Sequence, residues 1–129
     1  LTLTSNIGSN DFQELNLDDN KKLYQKVIET SKTWKNSNRI MYVVGAKNTK
    51  EIRKIRDMVP DSYLLIPGFG AQGGNMAEIC KQGLDKNLKL IINSSRSIIY
   101  ASLNDDFAKC AAKEAKKIRD EMENYINAL

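Results

Sequence analysis

The chain has 129 residues, no histidine, and 20 Lys and Arg against 16 Asp and Glu, a formal charge of +4. This length is one domain or less, and a whole (β/α)8 barrel needs about 250 residues. At 41% hydrophobic and 28% charged the composition is that of an ordinary globular protein. The charge is too dispersed for a nucleic-acid stripe, and no membrane span or signal peptide is visible.

Leu1–Thr4 reads as a short strand ending at Ser5-Asn6, followed by a polar loop through Asn20. Leu23, Val27, Ile28 and Trp34 recur at helical spacing over 22–34. Residues 39–44 form the second strand, closing at Gly45-Ala46. Asn48-Thr49-Lys50-Glu51 has the form of a capping box, with Ile52, Ile55 and Val59 as the inward stripe after it. Residues 63–66 are the third strand, and Asn75–Glu78 is a second capping box opening a helix that Gly83 ends. Residues 88–92 are the fourth strand and 97–101 a single turn. A long helix then carries Phe107, Ala111, Ile118, Met122 and Ile126 on one face.

Strand and helix thus alternate four times, which specifies a parallel α/β architecture. The pattern fits half a barrel and a small doubly wound sheet equally. Four strands cannot close a barrel, so an N-terminal half is expected to complete one. The first residue is Leu rather than Met, which suggests a chain cut from something longer. Cys80 and Cys110 lie far apart on apolar helix sides without metal-ligand spacing, so both are expected buried and reduced, as in a cytoplasmic protein.

Chemistry is expected at the strand ends. Leu64-Leu65-Ile66 runs into Pro67-Gly68-Phe69-Gly70-Ala71-Gln72-Gly73-Gly74, where four glycines within 68–74 let backbone amides approach an oxyanion. Ile91-Ile92 runs into Asn93-Ser94-Ser95-Arg96, which brings a planar donor fork to the start of a helical turn. Two neighbouring strand ends of this kind make a phosphate cup, placed in (β/α)8 barrels after the last two strands. The alternative for Arg96 is a salt bridge to a loop carboxylate. Ser5, unaided, is as suited to capping its loop as to touching a ligand. The strand ends offer no Asp, Glu, Lys, His or Cys, so they can bind and orient a ligand but not transfer its protons unaided.

Pro67–Gly74 and Ile92–Ala101 resemble the bacterial branch of the orotidine 5'-phosphate decarboxylase family. Thr4–Ser9 with Asp11-Phe12-Gln13, and Val43–Ala46, match that family in the same order. The resemblance runs nearly end to end but covers only the family's C-terminal half. It implies that residues 1–129 are strands five to eight, with their helices, of a TIM (β/α)8 barrel. The implied reaction converts orotidine monophosphate to uridine monophosphate and carbon dioxide, in de novo pyrimidine biosynthesis, with neither metal nor organic cofactor.

The implied ligand contacts are Ser5 at the pyrimidine edge, Asn6 as a further substrate-binding residue beside it, Pro67 lining the ring pocket, and Gln72 bridging phosphate and pyrimidine. Gly70, Gly73, Ser95 and Arg96 would hold the phosphate. The resemblance also implies a cytoplasmic homodimer of complete barrels, with no nucleic-acid or membrane partner. The family's catalytic Asp-x-Lys-x-x-Asp array is expected in the missing half. Asp19-Asn20-Lys21-Lys22-Leu23-Tyr24 begins like it but ends in Tyr24, and reads as an acidic helix start. Two rivals stand beside this reading: a non-catalytic phosphate-ligand-binding α/β module, and another phosphate-binding barrel such as a pentose-phosphate epimerase.

Overall fold

A computed structural model describes residues 1–69 and 74–129. The strands are β1 (Tyr42–Val43), β2 (Leu64–Pro67) and β3 (Leu90–Asn93). The helices are α1 (Leu23–Lys32), α2 (Thr49–Met58), α3 (Met76–Gly83), α4 (Arg96–Ile99) and α5 (Phe107–Ile126), with 3-10 turns at Ile7–Ser9 and Ser37–Arg39. The strands pair in parallel in chain order, β1-β2-β3, with Leu64 opposite Leu90 and Pro67 opposite Asn93. Leu3 extends the sheet beyond β1 through a parallel bridge to Val44.

The order of these four positions never reverses. A doubly wound sheet reverses at its switch point, and successive right-handed crossovers without reversal place all helices on one face. The fold is therefore the α/β half-barrel that the alternation left undecided. Its covered face buries Tyr42, Val44, Leu64, Ile66 and Leu90 against Ile28, Ile52, Ile55 and Ile79. Each such aliphatic side chain contributes about 1.5–3 kcal/mol. Strand side chains alternate between faces, so Met41, Tyr63 and Ile91 point to the opposite side, where they are 49%, 45% and 39% exposed. That side of the sheet is the less covered one: Val43 and Leu65 on it are only half-buried.

The elements differ from the sequence reading in instructive places. The expected strand over residues 1–4 shrinks to Leu3, because it has a neighbour on one edge alone: Thr2 and Leu3 N–H both donate to Val43 O, and Leu3 O accepts from Gly45 N–H. The second strand starts late, since Asn36 adopts φ 64 and throws Ser37–Arg39 into a 3-10 turn. The fourth starts at Leu90, because Leu88 sits at φ 53 in a turn from Asp85.

On α1 the buried stripe is Tyr24, Ile28 and Ser31, where Ser31 Oγ and Tyr42 OH pair at 2.8 Å; Val27 and Trp34 are exposed. Asn75 caps α3 as expected, accepting from Glu78 N–H at 3.3 Å. Asn48 does not cap α2; its amide donates instead to Thr4 O at 3.2 Å. Along α5, Ile118, Met122, Tyr125 and Ile126 are partly buried against the core, whereas Phe107 is 61% exposed.

Candidate functional site

The C-terminal ends of the strands open into a concavity of about 180 Å³, lined by Leu1, Leu3, Thr4, Ser5, Asn6, Val43, Gly45 and Pro67. Three residues singled out by sequence, Ser5, Asn6 and Pro67, thus share one cavity although 62 positions separate the ends of that set (67 − 5). None of the lining side chains is ionisable, so this pocket binds rather than transfers protons. Ser5 Oγ is buried with no hydrogen-bond partner among the described residues. Such an orphan costs about 1–3 kcal/mol and in a native fold signals a missing partner.

The loop after Ser5 is held by groups that sequence reasoning did not assign. Gln13 Oε1 accepts from Thr4 N–H at 2.8 Å, and Ser9 Oγ donates to Asn6 O at 2.6 Å. Asn48 reaches Thr4 O from α2, a contact 44 residues away in the chain. Asn6 Oδ1 accepts from Thr4 Oγ1, which fixes the amide at the cavity edge.

At the end of β2, Gly68 turns the chain at φ 82, a conformation glycine adopts without strain. Phe69 and Gly74 then bridge in parallel, closing the neck of the glycine-rich loop. Gly70, Gln72 and Gly73 lie outside the described residues. Ser94 Oγ donates to Phe69 O at 3.3 Å and pairs with Ser97 Oγ at 2.6 Å. This tie from the end of β3 to the loop's neck was not anticipated; its one sequence signal is the serine doublet 94–95. Ser95 Oγ accepts from Asn93 Nδ2 at 3.3 Å. Arg96 opens α4, is exposed, and forms no ion pair among the described residues, so the salt-bridge alternative gains no support there.

The Asp19–Tyr24 stretch plays no part in this rim. Lys21 Nζ bonds Glu29 at 2.7 Å, which raises its pKa, and Tyr24 belongs to the buried stripe of α1. The cysteines are also remote from the cavity. Burial pushes the Cys80 thiol up to about 11. Cys110 is only half-buried, contrary to expectation, and its thiol is raised by donating to Asp106 at 3.3 Å. Among the described residues no three His, Cys, Asp or Glu gather where they could hold a metal ion, and no helix is long and apolar enough to cross a membrane.

A protein named orotidine 5'-phosphate decarboxylase from Flavobacterium johnsoniae is 52% identical over 128 residues, 99% of this chain and 46% of that protein. One of the same name from Christiangramia forsetii is 50% identical over 129 residues, 100% of this chain and 47% of that protein. Leishmania donovani OMP decarboxylase superposes with a TM-score of 0.77 at 28% identity, over 96% of this chain and 46% of that one. In sequence and fold the chain matches the C-terminal half of orotidine 5'-phosphate decarboxylases.

It spans about half the length of the curated decarboxylases it matches. Leishmania donovani UMP synthase likewise superposes with a TM-score of 0.80 at 31% identity, covering 96% of this chain and 26% of that one. No family model matches the chain. The likeness to the decarboxylases runs through the whole half-barrel, so it takes in the cavity, the loop's neck and the start of α4 together.

Proposed function

We propose that this chain is the ligand-holding half of an orotidine 5'-phosphate decarboxylase and works only in a complete barrel. In this reading residues 1–129 supply strands five to eight. Ser5, with Asn6 beside it, meets the pyrimidine edge and Pro67 its ring, Gln72 bridges pyrimidine and phosphate, and Gly70, Gly73, Ser95 and Arg96 take the phosphate. The observation that carries it is the orphaned Ser5 hydroxyl, in a cavity shared with Pro67 and free of ionisable side chains. Such a surface supplies orientation and remote binding energy, which lower the barrier when they are realised in the transition state. Lys and Asp groups that handle the proton would come from the N-terminal half.

The less covered sheet face supports the same division. Met41, Tyr63 and Ile91 on that face, and Ile99, Tyr100, Leu103 and Phe107 about α4 and the start of α5, are exposed apolar groups. Closure of the barrel by an N-terminal half would cover the sheet face. A cytoplasmic homodimer of such barrels, with no nucleic-acid or membrane partner, completes the proposal.

The test is consumption of orotidine monophosphate by this chain alone and after refolding with an N-terminal half bearing the Lys/Asp array. Turnover only in the mixture is expected. Turnover by the chain alone would overturn the division of roles. A dead mixture, with tight nucleotide binding by the chain alone, would instead make it a non-catalytic phosphate-ligand-binding module.

A further inference from the structure

Gly45 and Ala46, which follow Val44 at the end of β1, are the two smallest residue types, and each abuts one part of the proposed ligand site. A methyl built on Gly45 would lie 2.0 Å from Ser5 Oγ, 2.8 Å from Ser5 N and 3.1 Å from Ser5 Cβ. The backbones cannot part to make room without losing the 2.8 Å bond from Gly45 N–H to Leu3 O. On the other side, Ala46 is fully buried, and a methyl built on Gly74 would lie 2.7 Å from its Cβ. Gly74 is where the glycine-rich loop rejoins the fold through its bridge to Phe69. One dipeptide therefore sets the seat of the orphaned hydroxyl and, next to it, the wall on which the loop's neck rests.

We infer that Gly45 is a positioning residue that sets pyrimidine specificity by reserving the seat of the Ser5 hydroxyl, while Ala46 leaves room for Gly74 at the loop's neck. Of the three Ser5 atoms that the missing methyl would crowd, the nearest is a buried hydroxyl without a partner, which ties this glycine to the ligand-facing group. This inference rests on the ligand reading given above, so its test separates the two.

In the complete barrel, affinities for uridine 5'-monophosphate and ribose 5-phosphate are measured by calorimetry for wild type, G45A, S5A, S5A/G45A and A46V. Wild type is expected to prefer the nucleotide; binding neither ligand would overturn the ligand reading and this inference with it. G45A should cut that preference about tenfold, the worth of roughly one hydrogen bond, and leave ribose 5-phosphate affinity unchanged. S5A should do the same, and adding G45A to it should cost no further preference, because both act through one hydroxyl.

An intact preference in G45A, with wild type binding as expected, would overturn the positioning role alone, as would additive losses in the double variant. A46V should weaken both ligands alike, and a loss confined to the nucleotide would contradict the assignment of Ala46 to the loop's neck. If G45A does not fold, S5A/G45A, which loses the 2.0 Å contact and keeps only the 2.8 Å approach to the residue 5 backbone N and the 3.1 Å one to its Cβ, decides the matter. Folding with the preference of S5A supports the inference; failure of both variants makes Gly45 a folding residue and overturns it.

Discussion

The two rims of the sheet treat their polar groups in opposite ways. At the N-terminal rim, Arg56 is 3% exposed, and its guanidinium donates to five backbone carbonyls: Gly83, Val59, Pro60, Ser62 and Lys89. Burial pulls its pKa down while Asp85, 4.0 Å away, pulls it up, and the donors are used within the fold. At the C-terminal rim, Ser5 Oγ has no partner among the described residues, and Arg96 stands exposed. Both rims carry a cation and several loop groups, yet one is closed on itself and the other is left open. In (β/α)8 folds the first arrangement serves stability and the second serves ligands.

Removing Arg56 should give the largest effect and break the contrast from the stable side. R56M keeps the aliphatic stem but strips the donors from five carbonyls, so it should cost about 3 kcal/mol or more in denaturant unfolding. A loss under about 1 kcal/mol would show that water replaces the guanidinium readily. R96A is its counterpart at the open rim. It should leave the unfolding midpoint within about 0.5 kcal/mol and weaken uridine 5'-monophosphate binding by about 2–3 kcal/mol, the worth of a charged hydrogen bond. Unchanged affinity would sink the phosphate role proposed for Arg96.

Ser5 sharpens the contrast further, because stability and binding should move in opposite directions. Deleting an unpartnered buried hydroxyl removes a desolvation penalty, so S5A should raise the complete barrel's unfolding free energy by about 1 kcal/mol. The same change should lower affinity for the nucleotide relative to ribose 5-phosphate. A variant that loses stability would mean that the hydroxyl already has a structural partner.

How much of this was legible follows from the range of the contacts involved. The stripe Ile52, Ile55, Val59 and the Asn75 cap are local, and both appear as read. The alternation foretold parallel α/β structure, but the strand order that excludes a doubly wound sheet is a fact of pairing. Arg56 lies within that inward stripe, yet nothing near it in sequence shows that carbonyls 27 and 33 residues away converge on it. Likewise Ser5 was legible as a strand-end residue, whereas its collision course with Gly45 depends on how closely two strands approach. The Asn48 box failed because Thr4 O, 44 residues away, competes for its amide.

The smallest effect tests whether strain also follows the division between rims. Leu88 belongs to the N-terminal rim, in the turn that feeds β3, and holds φ 53 with its side chain 43% exposed. A left-handed leucine costs about 1 kcal/mol, which Asn or Gly largely avoids. Strain retained at a ligand site has a functional reason, but Leu88 sits at the opposite end of the sheet from the cavity. L88N should therefore raise the unfolding midpoint by the equivalent of about 0.5 kcal/mol without touching nucleotide affinity. A drop in stability would mean that the half-buried leucyl side chain contributes more than the backbone loses. A change in affinity would show that the two rims are coupled through β3, and the separation of stable and ligand-facing ends would fail at that strand.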